Sequence, residues 1–239
     1  MRRLLLPALM VGLVTLPAAK AEAVEYGFYC VTNNGGCSIL ESQITVEIAD
    51  GGSGSVDFTF GNSGPTASSI TDVYFNDASP NPANGSDPDS TIGDFFDWTS
   101  MSLSDSGSGV SFSTDCTPGN PPGANGFTDP SGACADANTP VASNGVNPGE
   151  SLTVNVALLA GQTFAELIEA IDEGLFSVGV HVQAIGSQNV SDVGLLDDGD
   201  GDTDGDGGGD DPVVAEPASL LLLGSGLLVV GARLRRRNT

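Results

Sequence analysis

Between residues 24 and 217 the chain contains no lysine and no arginine; its seven basic residues are Arg2, Arg3 and Lys20 at one end and Arg233, Arg235, Arg236 and Arg237 at the other. All carboxylates except Glu22 lie in that cation-free span. Nucleic acid is thereby excluded as a direct partner, because binding a phosphate backbone requires cations that displace its counterions. Internal ion pairs are excluded too, apart from those of a new amino terminus or of His181, the only histidine. Such a surface is screened by salt or divalent cations, or bears its own repulsion.

Other scarcities narrow the chemistry. With one histidine, a nucleophile and general-base pair would need His181, and the sequence has neither a serine nucleophile elbow nor a phosphate-cradling glycine loop. His181 reads instead as a surface residue of a strand. Abundant carboxylates leave glycoside hydrolysis formally open, but no pair stands out. The expectation is a protein without catalytic residues. The four cysteines form no Cys-x-x-Cys pair and have no histidine nearby, which argues against a zinc site. Aromatic residues are only 6% of a chain rich in glycine, as expected of one modest domain with accessory segments.

The amino terminus has the three parts of a secretory signal: Arg2 and Arg3, an apolar run over residues 4–16, and small residues at Ala18, Ala19, Ala21 and Ala23. The run is shorter than the roughly 20 residues of a spanning helix. Residues 1–23 are therefore expected to be removed; Ala19-Lys20-Ala21 and Ala21-Glu22-Ala23 both fit a small-x-small cleavage site. Export to an oxidising compartment favours disulfides. Of the three possible connectivities, the two sequential pairs are preferred. Cys30 and Cys37 enclose "VTNNGG", which reads as a tight hairpin turn, and Cys116 and Cys134 enclose a Pro- and Gly-rich loop unable to pack for itself.

Residues 24–196 read as an antiparallel β-sandwich, mainly β with one short helix. In "QITVEIA" and "GSVDFTF", Ile44, Val46, Ile48, Val56, Phe58 and Phe60 alternate with polar residues around an Asp50-Gly51-Gly52 turn. Further strands are expected at "SSITDVYFND", "SGVSFST", "SLTVNVALL" and "LFSVGVHVQAI", the last burying Phe176, Val178, Val180 and Val182 and turning His181 outward. Thr163 and Glu166 predict a capping box for a helix with Phe164, Leu167, Ile168 and Ile171 on its apolar face and Gly174 at its end. Residues 78–91 read as a long surface loop. Phe95, Phe96 and Trp98 fit either core packing or an exposed platform for a sugar.

Residues 197–214 form an acidic linker. Within it, Asp200, Asp202, Asp204 and Asp211 occupy positions one, three, five and twelve of a calcium loop, with Gly205 at the turn. No amphipathic helix flanks the run, position twelve is not glutamate, and repeated Asp-Gly produces such spacing by itself. A disordered, self-repelling linker with weak affinity for calcium accounts for the same residues. No other cofactor is expected.

The chain closes on "EPASLLLLGSGLLVVGARLRRRNT": residues 218–232 are apolar or small, about 22 Å as a helix, and the arginines after them are expected to stay on the cytoplasmic side. Residues 215–239 resemble the PEP-CTERM sorting signal of Gram-negative bacteria, a Pro-Glu-Pro motif followed by a short apolar helix and a basic tail. Here Ala215, Glu216 and Pro217 stand for the motif, with Ala215 in place of the first proline. The resemblance implies transient anchoring in the inner membrane, an exosortase-like processing enzyme as partner, and delivery to the cell surface or exopolysaccharide matrix. The body is also similar to a recurring PEP-CTERM companion type, through "ESQITVEIADGGSGSVDFTFGNSGPTASSITDVYFND" and "TFAELIEAIDEGLFSVGVHVQAIG", which carries over no activity. Two other outcomes are weighed: a carbohydrate-binding or calcium-dependent adhesion module, and an unprocessed protein anchored in the inner membrane.

Overall fold

A computed structural model describes residues 22–76, 95–107, 109–114, 116 and 133–197. The signal segment up to residue 21, the loop at 78–91, the calcium-spaced Asp200, Asp202, Asp204 and Asp211, and the whole sorting tail with Ala215, Glu216, Pro217, Arg233, Arg235, Arg236 and Arg237 lie outside the described residues.

Two antiparallel sheets face each other, with strands numbered in chain order. The first sheet runs β1 (Ala23–Tyr26), β3 (Ile44–Gly52), β4 (Ser55–Asn62), β9 (Ser151–Leu158), β6 (Phe96–Asp105). The second runs β2 (Phe28–Cys30), β11 (Val190–Leu196), β10 (Ser177–Ile185), β5 (Ser69–Asn76), β8 (Cys134–Ala137), β7 (Phe112–Ser113). Only Gly27 separates β1 from β2, so the chain changes sheets there, and the Gly27 carbonyl accepts from the Asp197 N–H at the end of β11, 3.1 Å away.

Period-two alternation builds the inner faces. Ile44, Val46 and Ile48 of β3 and Val56, Phe58 and Phe60 of β4 are all fully buried, as their spacing predicts. The hairpin turn lies further along than expected: β3 continues through Gly52, and Ser53 and Gly54 make the turn with φ of 57° and 78°. Both central residues are left-handed, which matches a primed two-residue turn to the twist of the strands.

The two sheets meet over an aromatic cluster. Phe58 lies 5.1 Å from Phe75, ring centre to ring centre, and 5.7 Å from Phe96. Phe176, just before β10, stacks 6.0 Å from Phe58, and Phe96 meets it edge-on at 5.5 Å. Burying each such ring contributes about 2–3 kcal/mol.

Three helices occur among the described residues where one was expected: α1 (Cys37–Gln43), α2 (Val141–Asn144) and α3 (Phe164–Asp172). The expected one is α3, whose capping box is complete: the Glu166 N–H donates to Thr163 Oγ1 and the Thr163 N–H to Glu166 Oε2. It buries Phe164, Leu167, Ala170 and Ile171 while linking β9 of one sheet to β10 of the other.

Candidate functional site

Both sequential disulfides are present: Cys30–Cys37, with a Cα separation of 5.4 Å, and Cys116–Cys134, at 6.1 Å. The expected Cys30–Cys37 hairpin is not. The bridge ties the end of β2 to the first residue of α1, because a carboxylate from a distant strand organises the intervening loop. Asp192 of β11 is 1% exposed. Its Oδ1 accepts from the Asn34 N–H at 2.8 Å and from Thr32 Oγ1 at 3.0 Å, and its Oδ2 from the Gly36 N–H at 2.7 Å. Three donors converging on a buried carboxylate satisfy it without a basic side chain. The loop feeds α1 rather than a returning strand.

Two of the three aromatic residues belong to the core. Phe95 and Phe96 are 3% and 4% exposed, and the half-buried Trp98 ring lies 5.0 Å from Phe96 and 5.2 Å from the buried Phe75. Phe95 and Phe96 are thus core residues with no face left to stack on a sugar, and Trp98 packs against the core from a partly buried position.

What the fold does assemble is a polar row across the outer face of the second sheet. His181 on β10 stands opposite Asp72 on β5, and Asp72 opposite Asp136 on β8. Alternation places His181 there: Val178, Val180 and Val182 are buried, and His181 is not. Its Nδ1 donates to Asp72 Oδ2 over 2.9 Å. The same oxygen accepts from Thr71 Oγ1 at 2.6 Å. Thr71 is an extra residue in β5, since the pairing steps from Asp72 opposite His181 to Ile70 opposite Val182.

Asp136 completes the row. Burial, then the adjacent Asp72 charge, then a hydrogen bond to Asp72 push its carboxyl up to about 6. Asp72 and Asp136 stand side by side across β5 and β8, and two neighbouring carboxyl groups resist ionising together. Tyr74, on the same face of β5, is also pushed above the usual phenol range, first by burial and then by the charges of Asp72 and Asp136. Tyr74 and Cys134 form a small apolar cluster on this outer face, with Cys116 and Leu195 packed against it. The second disulfide thus roofs one end of the polar row.

The row can hold and exchange a proton, and it accommodates the only basic side chain of the body. Two groups bring a carboxylate near sulfur atoms, Cys30, Cys37 and Asp192, and Cys116, Cys134 and Asp136. In both, the sulfurs are bridged and offer no thiolate, leaving one carboxylate apiece as a metal ligand.

Sequence reasoning missed Asp72, Asp136 and Asp192. Alternation assigns a residue to a face of its own strand; which residues share a row depends on register between segments far apart in the chain. Comparison with family models, with curated proteins and with solved structures finds no match to this chain.

Proposed function

We propose that the protein is an exported, non-enzymatic component of the cell surface or exopolysaccharide matrix of a Gram-negative bacterium. The amino-terminal signal directs export, and the PEP-CTERM-like tail over residues 215–239 holds the chain in the inner membrane until an exosortase-like enzyme releases it. The observation that carries this reading is the order of three elements at the carboxyl end, Ala215-Glu216-Pro217, the apolar run and the arginine cluster, in a chain that also opens with a signal. Two bridged cysteine pairs support it, since such bridges persist outside the reducing cytosol. Among the described residues no helix is long and apolar enough to cross a membrane.

The test is intact mass combined with cell fractionation of the protein from its own bacterium. Loss of both ends, with the body in the surface or matrix fraction, is the expected result. A mass that retains "RLRRRNT" in the inner-membrane fraction would make the tail a permanent anchor and overturn the matrix role. Binding of the purified body to glycans only in the presence of calcium would replace a structural role by an adhesive one.

A further inference from the structure

The sequence leaves two signal cleavage sites open, after Ala21 and after Ala23. They differ in what they do to β1. This strand is an edge of the first sheet, held by β3 alone, with Ala23 opposite Ala49, Val24 opposite Ile48, Glu25 opposite Glu47 and Tyr26 opposite Val46. The ladder extends one residue before the strand, because the Asp50 N–H donates to the Glu22 carbonyl over 2.9 Å. Glu22, the first of the described residues, thus already takes part in the sheet.

Resting on the export reading above, we infer that the signal is cut between Ala21 and Glu22, so that the mature chain begins with β1 entire. A cut after Ala23 removes the acceptor of the Asp50 N–H and the Ala23–Ala49 pair, and places the chain end at Val24, inside the remaining ladder. An edge strand of four residues has few bonds to lose. Its far end matters to the core: Tyr26 is 3% exposed, and its hydroxyl donates to Asp172 Oδ1 on α3 over 3.1 Å. The earlier cut also sets the new α-ammonium group on the rung facing Asp50, adding a cation to a body whose only basic side chain is His181.

The experiment is export of the full chain from a Gram-negative host, followed by intact mass and amino-terminal sequencing of the released protein. Glu22 as first residue is expected; Val24, or any other start in a processed chain, overturns the inference. A chain that keeps Arg2 and stays in the inner membrane overturns the export reading instead, and the two failures differ in mass. Site-blocking variants give an independent check. A19F, which spoils only the earlier site, should abolish the Glu22 start, and A23F, which spoils only the later one, should leave it unchanged; the reverse pattern sinks the proposal. Amide exchange adds a readout of the fold: protection at Asp50 should be present in a chain starting at Glu22 and lost in one starting at Val24.

Discussion

Nδ1 of His181 lies 2.9 Å from Oδ2 of Asp72, its partner across β10 and β5. In a body with no lysine or arginine, this places the single basic side chain against a carboxylate that a second acid, Asp136, also faces.

Asp136 has a carboxyl pushed up to about 6 from an ordinary 3.8. Between these values the folded protein holds a proton that the unfolded chain releases, so this group destabilises the fold above pH 6 and the penalty fades as pH falls toward 4. Urea midpoints should therefore rise from pH 7 to pH 5. In D136N, which keeps a donor for Asp72 but cannot ionise, that rise should shrink and stability at pH 7 should increase. An identical pH slope in the two proteins would show that the proton resides elsewhere.

Removing the carboxylate of Asp192 leaves the N–H groups of Asn34 and Gly36 and the hydroxyl of Thr32 without their acceptor. D192A should cost about 2–4 kcal/mol in chemical denaturation even with the Cys30–Cys37 bridge intact. A loss below about 0.5 kcal/mol, the level of ordinary surface substitutions, would mean that the bridge alone organises the loop.

Gly36 has no room for a side chain: a Cβ there would lie 2.6 Å from Ile185 Cδ1 and 2.8 Å from Asp192 Oδ2. G36A should destabilise by roughly 1–3 kcal/mol through this overpacking. Thermal unfolding of the variant, beside a control substitution at an exposed loop position, measures the effect.

The two bridges should contribute unequally. Cys116 and Cys134 are 18 residues apart in sequence and Cys30 and Cys37 are 7 apart. Loop-closure entropy assigns them roughly 3 and roughly 2.4 kcal/mol. Cys134 is also fully buried, in the outer-face cluster that it forms with Tyr74. Replacing the 116–134 pair by serine should lower the denaturation midpoint more than replacing the 30–37 pair; equal losses would contradict this ordering.

Trypsin should make no cut between residues 24 and 217, even in unfolded, reduced protein, because no lysine or arginine lies there. Peptide mass mapping of the mature protein checks this, and one internal tryptic fragment would be inconsistent with the charge map.

Several local features were legible in the sequence. The alternation in "QITVEIA" and "GSVDFTF" foretold the inner faces of β3 and β4, and Thr163 with Glu166 foretold the start of α3. The sequential cysteine pairing was readable because both bridges close short segments. These are signals spanning a few residues, in which side-chain period and capping act directly on the backbone. The tertiary structure decided the rest. It made Cys37 the start of a helix by bringing Asp192, more than a hundred residues later, onto the Thr32–Gly36 loop. It turned Phe95 and Phe96 into the core, and it aligned His181, Asp72 and Asp136 through strand register. Register is a property of pairs of strands, and no single segment of the chain carries it.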